Sequence, residues 1–387
     1  MHPEMESLRC TIMRAGTSKG IFIMKNELPS DPKNRDAVIR AIFGSPDIRQ
    51  IDGLGGADVL TSKLAIISPS SRDDADLDYT FAQVSFDSDI IDYRSNCGNI
   101  SAGVGPFAVD QGLVNVVAPI TTVRIHQTNT GKIIVAKVPI KDGKAAVEGD
   151  FHIDGVPGTG AKISLDFSDM IGSITGKLLP TGNVKDVINI ENVGKYTVSI
   201  VDVAIPVVFI KAEELAMKGI ETPEEIEENK GLMNLIEQIR SRVAAKIGLV
   251  DRWDLAASKS PYSPFFAIVS PAQDYTTYNG LEVKASDIDI VSRLLFMLRM
   301  HKTYPGTGTV CTGVTTRIPG TVVWEVLKKE AQDRLQINIG HPAGIIPVES
   351  EIRKEGGSIE LKKAVFYRTA RKIMEGRVFV RKKVFIK

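Results

Sequence analysis

The chain has 387 residues, 43% of them hydrophobic and 25% charged, with 48 Lys and Arg against 47 Asp and Glu for a formal net charge of +1. That length exceeds one ordinary core and predicts two domains, and a near-zero charge supplies no overall field for binding nucleic acid. Three cysteines without a pattern, no Cys/His cluster at zinc spacing, a polar start and no membrane-length apolar run predict a cytoplasmic protein with no disulfide framework, metal or membrane partner.

In chain order, the first feature is Arg14-Ala15-Gly16-Thr17-Ser18-Lys19-Gly20, a glycine-bounded polar turn between strands predicted over Cys10 to Met13 and Ile21 to Met24. Its hydroxyls and N–H groups suit a carboxylate; an ordinary hairpin turn is the competing reading. Next comes Gly53-Leu54-Gly55-Gly56, followed by Thr61-Ser62-Lys63 and the apolar Leu64-Ala65-Ile66-Ile67, which reads as a buried strand with Lys63 at its mouth. Enclosure destabilises the charged ammonium and makes a general base worth about 10²–10⁴ in rate, whereas a lysine beside such a strand otherwise snorkels to solvent.

Ser95-Asn96-Cys97-Gly98-Asn99-Ile100-Ser101-Ala102-Gly103-Val104-Gly105 places a lone thiol and two carboxamides where a turn runs into a helix. A helix start carries unsatisfied N–H groups and about half a positive charge, so it attracts anions and stabilises a thiolate. Cys97 is therefore a candidate acid, base, nucleophile or anion-site residue, against the alternative of a buried structural cysteine. Strands are expected over Val116 to Val123, Lys132 to Pro139 and Tyr196 to Val203, with a domain boundary between Val184 and Gly194 that gives domains of 1–190 and 191–387.

The capping box Thr222-Pro223-Glu224-Glu225 predicts a helix through Leu232, Leu235, Ile236, Ile239 and Val243 that stops near Gly248. A second helix is predicted from Ser286-Asp287-Ile288-Asp289 through Ile290, Val291, Leu294, Leu295 and Leu298 toward His301. It leads to the turn Gly306-Thr307-Gly308-Thr309, which suits a second carboxylate, with Cys311 assigned to the core. His301 and His341 are candidate carboxylate contacts, against hydrogen-bonded surface or loop histidines. Arg377 to Ile386 reads as a last strand whose charges protect a sheet edge and which returns to the first domain.

The halves echo one another. Gly20-Ile21-Phe22-Ile23-Met24-Lys25-Asn26-Glu27-Leu28 parallels Val207-Val208-Phe209-Ile210-Lys211-Ala212-Glu213-Glu214-Leu215, and the Cys97 segment parallels that around Cys311. No histidine sits in a signature that pairs it with Cys97, and the G-x-S-x-G elbow, P-loop and dinucleotide fingerprint are absent.

Taken together and in order, the Arg14–Gly20 turn, the Gly53–Lys63 segment, the Ser95–Asn99 motif, His301-Lys302 to Pro319-Gly320, Gly340-His341-Pro342 and Arg368-Thr369-Ala370-Arg371 resemble the PrpF family. That resemblance spans nearly the whole chain and implies an α+β fold similar to diaminopimelate epimerase: two pseudo-symmetric domains, each a β-barrel-like sheet around a central helix, with a cofactor-free active site between them. It also implies activity as a 2-methylaconitate isomerase, a methylitaconate Δ-isomerase or a 4-oxalomesaconate tautomerase, and roles for Lys63 and Cys97, with Lys63 the stronger base. Three departures stand out. Ala15 replaces a usual glycine, Asp202-Val203-Ala204-Ile205-Pro206 lacks the usual asparagine-proline pair, and Gly306 and Thr307 stand where the epimerases place a second thiol.

The reaction expected is an allylic proton shift in a small unsaturated di- or tricarboxylate, with 2-methylaconitate placed first. Lys63 and Cys97 would move the proton, and Thr17, Ser18, Asn96, Gly98, Asn99, Thr307, Gly308, Thr309, His301 and His341 would hold the carboxylates. No cofactor, metal or nucleic-acid partner is expected; a homo-oligomer is compatible with the sequence. An amino- or hydroxy-acid racemase, favoured if Cys311 opposes Cys97, and a non-catalytic metabolite-binding protein are the alternatives of other classes.

Overall fold

A computed structural model describes residues 2–94, 96–355 and 358–385, so Ser95 of the helix-start motif and Ile386 of the last predicted strand lie outside the described residues. The chain divides into two compact units, Met1–Leu165 with Arg368–Lys387, and Asp166–Tyr367. The division therefore falls ahead of the predicted 190/191 boundary. Gly194, read as a breaker between domains, opens the second strand of a hairpin inside the second unit, where Ile190 faces Gly194 across the turn.

In the first unit, β1 (Met5–Ala15) turns through Gly16 and Thr17 into β2 (Ser18–Met24), pairing antiparallel with Ala15 opposite Ser18. After α1 (Pro32–Phe43), β3 (Lys63–Pro69) lies parallel to β2, with Gly20 opposite Lys63. β4 (Leu77–Val84) is antiparallel to β3 and carries the short β5 (Ile91–Asp92) on its other side. α2 (Gly98–Asp110) then precedes the hairpin of β6 (Ile120–Gln127) and β7 (Lys132–Lys141). The C-terminal strand Ala370–Arg381 returns to pair along the whole of β1, and Lys382–Val384 beyond it is a 3-10 turn rather than more strand.

Period-two alternation places two faces of this sheet against two helices. Ile21 and Ile23 join Leu8, Leu64 and Ile66 against the apolar stripe Val38, Ile39, Ile42 and Phe43 of α1. Phe22, between them in sequence, points the other way and meets Phe107 of α2 with ring centroids 5.7 Å apart. α2 is apolar on all sides and buried from Gly98 through Val109, which makes it the central helix of the unit.

The second unit repeats the design. Strand Ile205–Lys211 runs into a 3-10 turn, as β2 does, and lies parallel to strand Phe265–Pro271, as β2 lies parallel to β3. Helix α3 (Pro223–Glu228) carries the predicted capping box, but Asn229 interrupts the predicted helix by accepting from Leu232 N to cap α4 (Lys230–Lys246). After the short α5 (Ala256–Lys259), the chain reaches α6 (Gly306–Thr315), buried at every position.

The helix predicted over 286–301 is instead strand Ile290–Phe296, paired antiparallel with Phe265–Pro271 and parallel with Gln336–His341. Both its faces are buried, and a two-sided apolar run carries no period that separates strand from helix. Likewise the strand predicted from Val116 starts only at Ile120, after Pro119, which has no N–H to give to a ladder.

The tight seating of α2 generates a stability test at Gly103. A Cβ there would lie 2.6 Å from Phe22 Cζ and 3.1 Å from Ala15 Cβ. Gly103→Ala gains about 1 kcal/mol of helix propensity but overpacks the core by about 1–3 kcal/mol, so a net fall in the urea midpoint is expected.

Candidate active site

Lys63 stands at the first position of β3 and is 6% exposed, so its side chain does not snorkel to solvent. Its Nζ donates to Gln83 Oε1 at 3.0 Å and lies 5.5 Å from the centroid of the Phe81 ring, both residues coming from the same face of β4. Gln83 is fixed in turn, because its Nε2 donates to Ser62 O at 3.0 Å and Val59 O at 3.3 Å. The preceding loop is stitched to Gln50, whose Oε1 accepts from Ser62 Oγ at 2.7 Å and Ala57 N at 2.8 Å. Among the described residues no carboxylate forms an ion pair with Lys63.

The first turn of α2 packs near the backbone of Lys63. A Cβ placed on Gly20 would sit 2.7 Å from Ile100 Cδ1 and 3.0 Å from Lys63 O, so the lysine backbone and the first helical turn close on the same glycine. Cys97 is the N-cap, buried, with its thiol spared from capping; its carbonyl accepts from both Ser101 N and Ser101 Oγ at 2.9 Å. Asn96 Oδ1 accepts from Ser101 Oγ at 3.3 Å, which leaves Nδ2 buried without a partner among the described residues; Ser18 Oγ is in the same condition. Such groups cost about 1–3 kcal/mol each unless something supplies the missing bond.

Asn99 is held on both sides of its carboxamide. Its Nδ2 donates to Thr17 Oγ1 at 3.0 Å, and its Oδ1 accepts from Arg368 Nε at 2.8 Å. Gly16 permits this: its φ is +53°, and a Cβ would strike Asn99 Oδ1 at 2.2 Å. Arg368 is 1% exposed; burial pushes its guanidinium down to about 9, opposed by the charge of nearby Cys97. The Tyr79 phenol, buried on β4, is pushed well above its ordinary range by desolvation and secondarily by Cys97. The first unit thus contains Lys63, Cys97, Thr17, Ser18, Asn96, Gly98 and Asn99. It adds Gln83, Tyr79 and Arg368, of which only Arg368 lay in a recognised motif.

In the second unit, Thr307, Gly308 and Thr309 form the buried first turn of α6. Thr309 Oγ1 donates back to Pro305 O at 2.9 Å, which ties the hydroxyl to the helix start. Both candidate histidines are buried, which removes the surface reading: His301 Nδ1 meets Thr303 Oγ1 at 3.2 Å, and His341 Nδ1 accepts from Ala343 N at 3.2 Å. Tyr304, pushed up to about 12 by burial, links Ser292 Oγ at 2.7 Å to Thr312 Oγ1 at 2.9 Å. Cys311 is fully buried with Sγ donating to Val201 O at 3.4 Å, and burial pushes its thiol far up. It is a core residue, as its place inside the helix predicted. By the echo of β2 with Ile205–Lys211, the position matching Lys63 is Phe265, because Lys63 faces Gly20 as Phe265 faces Val207.

Strands wrapped on a buried helix, twice in one chain, define a diaminopimelate epimerase-like scaffold. The fold is shared with a hydroxyproline epimerase from Agrobacterium vitis, at a TM-score of 0.57 and 11% identity over 97% of this chain and 92% of that one. The family model described as PrpF protein matches residues 5–381. The chain is 55% identical to the 3-methylitaconate isomerase of Eubacterium barkeri over 96% of its own length and 97% of that protein's. A crystal structure of methylitaconate-delta-isomerase superposes with a TM-score of 0.84 and 53% identity, covering 99% and 98% of the two chains. This chain belongs to the PrpF family and is an isomerase.

Arg368 carries a pH signature. Above about 9 the folded protein releases a proton that the unfolded chain, with an ordinary guanidinium, still holds. Unfolding free energy therefore gains a positive slope with pH in that window. Urea titrations between pH 8.5 and 10.5 are expected to show this rise in the parent relative to Arg368→Met, in which the difference disappears.

Proposed function

We propose that this isomerase shifts a double bond in a small unsaturated dicarboxylate of the methylitaconate type by removing and returning one proton. The observation that carries the reading is the buried Lys63 amine, whose backbone packs near the first turn of the buried helix α2, in the unit where Ser18 Oγ and Asn96 Nδ2 have no partner among the described residues. The high identity to a methylitaconate isomerase supports that substrate type ahead of the 2-methylaconitate placed first by the sequence.

In this reading Lys63 takes a proton from the carbon next to the double bond. The electrons spread over the allylic system into a carboxylate as a dienolate-like anion. Backbone N–H groups at the start of α2, Asn96 Nδ2 and the Arg368 guanidinium are the local donors for that charge, in a site walled by Phe81 and Tyr79. Asn99 acts through Arg368 and Thr17 by holding them in place. Return of the proton to the far carbon, from Lys63 or from Cys97, completes the shift with no net change in charge.

The test is proton exchange. Methylitaconate incubated with the enzyme in deuterated water should acquire deuterium at both allylic carbons, followed by NMR, whereas a binding protein would leave it unlabelled. Lys63→Ala should lower exchange by about 10²–10⁴ while keeping the thermal unfolding profile. Full exchange in that folded variant would remove Lys63 from the mechanism.

A further inference from the structure

On the proton-transfer reading above rests one further assignment. Lys63 on β3 faces Gln83 on β4, and Gln83 faces Asp92 on β5, so the three side chains form a row across three antiparallel strands. Direct cross-strand neighbours have Cβ atoms about 4.5–5.5 Å apart, which puts Lys63 and Asp92 roughly two strand spacings from each other. Asp92 is buried and its Oδ1 takes Arg94 Nε at 2.8 Å. A carboxylate and an amine therefore share one buried row, separated by a single neutral side chain.

The orientation of that side chain is fixed. With Nε2 giving its hydrogens to Ser62 O and Val59 O, Gln83 can offer Lys63 only its oxygen. We infer that Gln83 is the positioning residue of the base: an uncharged acceptor that aims Lys63 Nζ and insulates it from the Asp92 carboxylate. A neutral acceptor suits this place because it binds the amine in either protonation state, whereas a carboxylate would hold the ammonium form and resist its deprotonation. Further titratable or charged groups of this unit are Tyr79 on β4 and Arg368, both coupled to Cys97 at the start of α2, and Arg94 on Asp92; none of them lies on the cross-strand row of Lys63, Gln83 and Asp92.

The test uses the full-length enzyme and methylitaconate, with kcat and KM measured from pH 6 to 10. Gln83→Glu should lower kcat at neutral pH by tenfold or more, leave KM within about threefold, and move the rising limb of kcat to higher pH by about one unit or more. Gln83→Asn keeps an amide but withdraws it from the amine, and should lower kcat by a similar factor without moving the limb. A purely structural role for Gln83 would change the thermal midpoint but not the position of the limb. The inference is overturned if either folded variant keeps the parent kcat, or if Gln83→Glu lowers kcat without moving the limb. Lys63→Ala in the same assay separates the two levels. An active Lys63→Ala sinks both the base and its positioner, whereas an inactive one beside parent-like Gln83 variants sinks only the positioner.

Discussion

Burying the polar start of a helix is the constraint on which the first unit depends. α2 begins inside the protein, with Cys97, Gly98 and Asn99 all buried, and every donor exposed there by the helix geometry must find an acceptor or cost free energy. Local groups answer part of that demand. Ser101 bonds Asn96 and Cys97, and Asn99 bonds Thr17 and Arg368. Among the described residues Ser18 Oγ and Asn96 Nδ2 remain without a partner, which leaves polar atoms of this unit, one of them next to the helix start, with bonding capacity to spare.

The Lys63 amine is held by an amide rather than by an ion. Gln83 holds Lys63 Nζ, and Gln50 holds the loop that delivers Lys63 to the mouth of β3. An ion pair at either place would fix a charge, while an amide fixes only a position. The same economy of charge appears at Arg368, which lies against the carboxamide of Asn99 and whose protonated form burial disfavours.

The scaffold is doubled but the chemistry is not. Both units pass from a strand into a 3-10 turn, pair that strand in parallel with a later one, and bury a helix whose first turn is rich in glycine and small residues. Only the first unit puts an amine at the mouth of the parallel strand, since Phe265 occupies the matching place in the second. Cys311 is spent on the carbonyl of Val201, so the second helix start brings no thiol of its own. An arrangement of two opposed thiols draws no support from these side chains.

Composition and local pattern determined the two-unit plan, the turn at Gly16 and Thr17, the buried strand after Lys63 and the helix after Cys97, because each has a signal within a few residues: a positive-φ glycine, an apolar run, a run of small residues behind a polar start. Tertiary structure alone decided that Ile290–Phe296 is a strand, since a segment covered on both faces shows no period until its neighbours are known. It also decided the unit boundary, because the C-terminal strand rejoins β1 from more than 350 positions away. The surroundings of the amine were likewise invisible in the chain. Gln83 lies twenty residues from Lys63, and Arg368 lies 269 from Asn99. Neither pairing leaves a local mark, for a side chain's partners across a sheet are fixed by register, and register belongs to the fold rather than to any one stretch of sequence.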